Sequence, residues 1–242
     1  MTPSVSIQTS AENVPSHVTM VVVDVIRATT TAITAVAQGR RCLIVADEAS
    51  VADVAQMVDD PLLVGEIAGV MPEGFHLNNS PAQLARRTET DRPMILLSST
   101  GSPLMRQAAA LGDRTYAACL RNISAQVRQL AADRRDVVLL AGADKDPDLT
   151  LGVVEGMRVE DELCCGLIAH RLLKHGFAAD ERTQLAADRW SSGSLDAICE
   201  GRSAGYLARS GQLDDLDFIL DHVDDIDTVF AIEHAEVIAA AA

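Results

Sequence analysis

The chain has 242 residues and a formal net charge of −15, which excludes the basic surface that a nucleic-acid partner selects. Hydrophobic residues make up 48% and mean hydropathy is +0.13, which excludes a disordered chain and suits one large α/β domain or two small ones. No apolar run reaches the ~18 residues of a membrane span. The opening residues lack the basic and apolar regions of a signal peptide, so a cytoplasmic protein is expected.

Residues 1–17 are mixed and polar and predict an arm or an edge strand. Val18–Val23 is an apolar, β-branched run that reads as a strand buried on both faces. It delivers Asp24 at its end, then Arg27, then Thr29, Thr30 and Thr31 where a helix begins. Ala28–Gln38 has the helical period, with Gly39 as its stop. Arg41–Ala46 predicts a strand, Asp47–Val58 a helix with Val51, Val54, Ala55 and Val58 on one face, and Pro61–Gly65 a strand ending in Glu66. Residues 67–81, with two Gly and two Pro, read as a loop. Ser80-Pro81 then opens a helix as N-cap and first helical residue.

Met94–Leu97 is the next strand, running into Ser98-Ser99-Thr100-Gly101-Ser102. A helix over 103–111, a strand over 114–117, a helix over 122–132 and a strand over 136–140 follow. Residues 143–158 form a longer excursion, and 160–175 predict a buried helix. The last stretch is mostly helical. Its seven Asp between 214 and 227 read as a solvated helix face, and Thr228–Ile232 as a last strand. Strands alternating with helices predict a three-layer α/β fold: a largely parallel or mixed sheet, helices on both faces and a helical C-terminal region. One domain over 1–242 is expected, and 143–158 is where any subdivision would fall. The apolar content is compatible with a homo-oligomer of unspecified size.

The feature that recurs is polar residues at strand C-termini: Asp24, Glu66, Ser98 to Gly101 and Gly142. A parallel sheet gathers such residues along one edge, where ligands bind and helix N-termini favour anions. Glu160 and Asp161, at the head of a later helix, join this set. Singly, each reads as well as a cap or as a complement to a helix dipole. Jointly they describe a site for a metal and an oxyanion. Mg²⁺ suits an all-oxygen set, because it takes one or two carboxylates plus waters and phosphate oxygens, and no clustered His or Cys points to zinc. An aspartyl nucleophile of the phosphatase kind wants a second Asp two residues on. That position is Ile26, so Asp24 reads as a metal ligand and Arg27 as a phosphate clamp. Arg202, with Arg121 behind it, is a candidate cation for an anionic substrate.

Two distractors are set aside. Cys165 and Arg171 have the spacing of a thiol phosphatase but sit inside a helix, without the loop of free N–H groups that such a site needs. Cys42, Cys119, Cys164, Cys165 and Cys199 form no C-x-x-C pair and read as buried free thiols.

Read together, Asp-Val-Ile-Arg-Ala-Thr-Thr-Thr at 24–31, Gly-Glu-Ile-Ala-Gly at 65–69, Gly-Phe-His-Leu-Asn-Asn-Ser-Pro at 74–81, Thr-Gly-Ser at 100–102, Arg-Asn at 121–122, Ala-Gly at 141–142, Glu-Asp-Glu-Leu-Cys-Cys-Gly at 160–166 and Gly-Arg-Ser-Ala-Gly-Tyr-Leu at 201–207 form an ordered pattern. The pattern resembles the 2-phosphosulfolactate phosphatase family, Mg²⁺-dependent enzymes associated with coenzyme M biosynthesis. The resemblance spans residues 18–222. It implies an α/β fold, hydrolysis of a small anionic phosphomonoester, and a site drawn from Asp24, Arg27, Glu66, Asn79, Ser80, Asn122, Glu160 and Asp161. With the residue reading added, the expected set is Asp24, Arg27 and Glu66 for catalysis. Thr29, Thr30, Asn79, Ser80, Thr100, Gly101, Asn122 and Arg202 serve substrate, and Asp24, Glu66, Glu160 and Asp161 serve Mg²⁺. Thr100 stands where the family's turn carries Asn. That departure motivates the rival expectation of a non-catalytic anion-binding protein on the same fold.

Overall fold

A computed structural model describes residues 2–12, 14–15, 17–143 and 152–240. Among these residues ten strands make one mixed sheet. They are β1 (Ser4–Gln8), β2 (Thr19–Val23), β3 (Cys42–Val45), β4 (Leu62–Gly65), β5 (Met94–Leu97), β6 (Arg114–Ala118), β7 (Val137–Ala141), β8 (Ala178–Ala179), β9 (Phe230–Glu233) and β10 (Glu236–Ala239), in the order β4-β5-β3-β10-β9-β6-β2-β7-β1-β8. The helices are α1 (Ala28–Ala37), α2 (Ala49–Ala55), α3 (Pro81–Ala85), α4 (Gly101–Leu111), α5 (Ile123–Asp133), α6 (Val159–Lys174), α7 (Glu181–Arg189), α8 (Asp196–Glu200), α9 (Arg202–Arg209) and α10 (Leu213–Asp221). No helix among the described residues is long and apolar enough to cross a membrane.

Strand β2 shows why its sequence is apolar throughout. Successive side chains point to opposite faces of a sheet. Val21 and Val23 pack into a core with α5, α6, α7 and α9, while Met20 and Val22 pack into a second core with α1 and α4. Helices cover both faces, and the fold is the expected three-layer α/β arrangement. Local chemistry sets the helix ends. Gly39, at φ +86°, stops α1. Ser80 accepts from the Gln83 N–H and Pro81 fills the first position of α3.

The sheet has two parallel blocks, β4-β5-β3 and β6-β2-β7-β1-β8. Between them lies the hairpin β9–β10, antiparallel to β6 on one side and to β3 on the other. Three antiparallel pairings in succession give the two blocks opposite polarity. The site is therefore not gathered along one edge of a uniformly parallel sheet. The turn after β5 nonetheless reaches the end of β2, because Gly101 lies against Asp24.

The differences from expectation are specific. Residues 4–8 form an interior strand, because the two-residue β8 lies outside β1. The last strand is the first half of a hairpin whose turn uses His234 at φ +56°. The acidic stretch is not one solvated face: α10 ends at Asp221, and Asp215 is 2% exposed. Of the excursion where a subdivision was expected, residues 144–151 lie outside the described residues.

Four cysteines are buried and Cys199 is exposed, so the reading of five buried thiols holds for four. Burial raises the thiols of Cys42, Cys164 and Cys165 and lifts Cys119 to about 11. The thiolate is the nucleophile, so a disulfide reagent at neutral pH should titrate Cys199 promptly and the other four only on unfolding. A second fast-reacting thiol would contradict this burial. Cys165, inert on a buried helix, cannot serve as a phosphatase nucleophile.

Candidate active site

The turn between β2 and α1 is knotted by its own side chains. Thr29 Oγ1 accepts from the Asp24 N–H at 2.9 Å and donates to the Asp24 carbonyl at 2.8 Å, and Thr30 Oγ1 donates to the Val25 carbonyl at 2.8 Å. Both hydroxyls thus shape the turn. The Ala28 N–H donates to Asp24 Oδ1 at 2.9 Å, which fixes the carboxylate at the head of α1.

Helix α6 brings three more carboxylates, all buried. Asp161 Oδ1 accepts from the Val25 N–H at 2.7 Å, tying the head of α6 to the turn below Asp24. Glu162 is structural: its two oxygens accept from Trp190 Nε1 at 2.9 Å and the Val154 N–H at 2.7 Å. Glu160 bonds to Ser203 at the start of α9 and leaves Oε1 buried without a partner.

These groups share one electrostatic environment. Burial is the largest influence on Asp24, Glu160 and Asp161 and raises all three. Repulsion adds to it: Glu160 feels Asp24, and Asp161, raised well above its ordinary value, feels both Glu160 and Asp24. Arg158, just before α6, is the cation whose charge opposes the rise at all three. Arg158 was missed from sequence. Its position two residues before Glu160-Asp161 was the available signal.

The two parallel blocks meet at this point. A Cβ on Gly101 would overlap Asp24 Oδ2 and fall 2.5 Å from the Ala28 Cβ, and one on Gly142 would overlap Thr100 Cγ2. The turn after β5 thus lies against the ends of β2 and β7. Glu66 stands just past β4, and its charge also raises Asp24. Its own oxygens are engaged: Oε1 accepts from the Ser99 N–H at 2.7 Å, and Oε2 from the Gly69 N–H at 2.5 Å and Ser99 Oγ at 2.9 Å. Glu66 clamps the two turns beside the site.

Arg27 is 5% exposed. Its Nη1 donates to Asp215 Oδ2 at 2.6 Å and Gln212 Oε1 at 2.7 Å, while its charge lowers Asp24. Ser80 Oγ donates to Asp215 Oδ1, also at 2.6 Å. Asn79 is buried with Oδ1 unpartnered. Asn122 is consumed locally, accepting from the Cys119 N–H at 3.0 Å and donating to the Ala117 carbonyl at 3.4 Å. Arg202 is exposed at the start of α9, and Arg121 is tied to Asp225 and Thr34.

The structure therefore assembles an acidic centre of Asp24, Glu160 and Asp161, edged by Thr100, Gly101 and Glu66. An Arg27–Ser80 group adjoins it. Among the described residues no three His, Cys, Asp or Glu side chains form a ready-made metal cage.

The model of the 2-phosphosulpholactate phosphatase family matches residues 5–234. The chain belongs to this family. A protein of Deinococcus radiodurans named probable 2-phosphosulfolactate phosphatase is 31% identical over 202 residues, 81% of this chain and 80% of that protein. Proteins with the same name from Pseudothermotoga lettingae and Symbiobacterium thermophilum are 32% and 34% identical, over 63% and 61% of this chain and 61% and 60% of their own lengths. As a member of the 2-phosphosulfolactate phosphatase family, the chain is a phosphoric monoester hydrolase, and the acidic centre is where its small phosphorylated substrate is to be sought.

Proposed function

We propose that the chain hydrolyses 2-phosphosulfolactate to sulfolactate and phosphate with Mg²⁺ as cofactor, in the cytoplasm and in the context of coenzyme M biosynthesis. The observation that carries the cofactor is the cluster of Asp24, Glu160 and Asp161. These are three buried carboxylates, each raised by burial first and by a neighbouring carboxylate second, with Glu160 Oε1 lacking a hydrogen-bond partner among the described residues. A buried polar atom left unpaired is costly, and a divalent cation answers both the orphan oxygen and the excess negative charge. Mg²⁺ usually takes only one or two carboxylates beside waters and phosphate oxygens, so a three-carboxylate cage is not required. Asp24, through Oδ2, and Glu160, through Oε1, fit as its holders. Asp161 adds charge while anchoring the turn. Mg²⁺ bound there would act as a Lewis acid and lower the pKa of a coordinated water.

The protein's own groups do the rest. Asp24 is fixed through Oδ1 by the Ala28 N–H, so Oδ2 needs no reorganisation during the reaction. Arg27 and Arg158 place positive charge next to that carboxylate, where the transferring phosphoryl group builds up charge on its equatorial oxygens. Gly101 lets the turn after β5 close over Asp24. Exposed Arg202 is assigned to the sulfonate or carboxylate of the substrate.

Phosphate release from a panel containing 2-phosphosulfolactate and phospholactate, with Mg²⁺ or with EDTA, tests this reading. Mg²⁺-dependent turnover with preference for the sulfonated ester is expected. Full activity in EDTA would remove the metal, and phosphate binding without turnover of any ester would leave an anion-binding protein.

A further inference from the structure

The ion pair Arg27–Asp215 stands apart from the others among the described residues. Its side chains are 4% and 2% exposed, whereas the next most buried pair, Arg121–Asp225, is at 11% and 32%. Asp215 uses both oxygens. Oδ2 takes Arg27 Nη1 at 2.6 Å, while Oδ1 takes Ser80 Oγ at 2.6 Å and the Ala82 N–H at 3.0 Å. Gln212, one turn earlier, has an Oε1 that accepts from the same Nη1 at 2.7 Å and from Asn78 Nδ2 at 3.0 Å. One carboxylate and one amide near the start of α10 thus bind the head of α1 to the 78–82 segment.

Capping alone does not call for this charge. Ser80 Oγ already accepts from the Gln83 N–H of α3 at 3.2 Å. Nor is net stability a sufficient reason, because a buried ion pair gains little over a well-packed apolar pair. What the pair does achieve is to fix a guanidinium by one nitrogen. No hydrogen bond engages Arg27 Nε or Nη2 among the described residues, so that edge of the planar fork is left for bidentate contact with an oxyanion.

We propose that Asp215 is a positioning residue for phosphoryl recognition. It pins Nη1 of Arg27 so that the Nε–Nη2 edge is presented to the phosphoryl group beside Asp24, and it couples this clamp to the Asn78–Ser80 loop. The inference rests on the reading of Arg27 as a phosphate contact.

A double-mutant cycle on kcat/KM with Arg27→Ala and Asp215→Asn, in the presence of Mg²⁺, tests it, with melting temperature recorded for every variant. Asp215→Asn alone should lower kcat/KM about 10²-fold, the scale of a small misplacement of a catalytic contact. In the Arg27→Ala background it should change kcat/KM by at most a few-fold, because the guanidinium it positions is gone and only its hold on the Asn78–Ser80 loop remains. Equal losses in both backgrounds would mark a purely structural role and overturn the proposal, as would wild-type kcat/KM in Asp215→Asn. Wild-type kcat/KM in Arg27→Ala would instead refute the reading beneath it. If Asp215→Asn does not fold, Gln212→Ala decides in the same cycle. It should cost about 10-fold with Arg27 present, the worth of a hydrogen bond to a charged group, and be silent without it. A loss of equal size in both backgrounds overturns the proposal.

Discussion

Asp24→Asn should abolish Mg²⁺-dependent turnover and at the same time raise the melting temperature of the metal-free protein. The first effect follows from the placement of Asp24 Oδ2 beside Gly101, with Oδ1 held by the Ala28 N–H. Asparagine keeps the oxygen that Ala28 needs and removes the charge offered to the cation. Several kcal/mol of transition-state stabilisation rest on a catalytic metal, so kcat should fall on the order of 10³-fold. The second effect follows from burial and repulsion, which raise Asp24, Glu160 and Asp161 above their ordinary range. A carboxyl whose folded-state pKa is raised binds protons better in the folded than in the unfolded chain. Its contribution to stability is fully present below the unfolded value, near pH ~4, and is lost as pH rises through the folded value. At neutral pH the metal-free site is therefore under electrostatic load, and removing one charge relieves part of it. A gain on the order of 1 kcal/mol would raise the melting temperature by about 2–4 °C. Melting curves of both proteins in chelator from pH 4 to 8 should show a steeper loss with rising pH in the wild type. Parallel curves, or retained turnover in Asp24→Asn, would remove Asp24 from the acidic centre.

This opposition of stability and function explains the division of labour around the site. Of the groups that face the proposed cation, Glu160 Oε1 has no hydrogen-bond partner among the described residues, and the Ala28 N–H engages Asp24 through its other oxygen, Oδ1. Groups one step back are saturated: Glu162 by Trp190 and Val154, Glu66 by Ser99 and Gly69, and Asp215 by Arg27, Ser80 and Ala82. Saturated carboxylates hold the loops in register, and the unsaturated ones keep their charge for a ligand.

How much of this was legible depended on how local the physics was. Strand β2 could be read because burial on both faces demands a continuous apolar run, and the head of α3 because Ser80-Pro81 carries its own capping chemistry. The fate of Thr29 and Thr30 was also a local matter: hydroxyls at a strand-to-helix turn bond first to the nearest carbonyls. Asp215 was hidden because nothing in a run of aspartates shows which one faces inward. That is decided by Arg27, 188 positions away. The hairpin β9–β10 was half read, since its turn carries His234 at positive φ instead of the glycine or asparagine that marks such turns. Missing β10 concealed the reversal of polarity between the two parallel blocks. The strand-end residues were nonetheless found, because a carboxyl end that leads into a loop shows in the sequence whichever way its strand runs.

That junction between the blocks is where a single methyl group should do the most damage. At Gly101 an added Cβ would meet Asp24 Oδ2 and, at 2.5 Å, the Cβ of Ala28. Neither neighbour can yield cheaply: Ala28 is the first residue of α1, and Asp24 is fixed by the Ala28 N–H. Gly101→Ala must therefore push the start of α4 away from the β2 turn or drive the carboxylate out of place. Overpacking of this kind destabilises by about 1–3 kcal/mol, and moving a metal-holding carboxylate by an ångström should lower kcat about 10²-fold. Gly142→Ala is the informative comparison. Its Cβ would meet the Thr100 Cγ2 methyl, and the next nearest atom is the Thr100 Cβ at 3.5 Å. Rotation about the Thr100 side chain moves that methyl at the price of a rotamer change, so stability should fall by about 0.5–1.5 kcal/mol and kcat should stay within a few-fold of wild type. Urea denaturation and steady-state kinetics on the two variants measure both quantities. If Gly101→Ala were as active as Gly142→Ala, the close approach of the β5 turn to Asp24 would have no part in shaping the site.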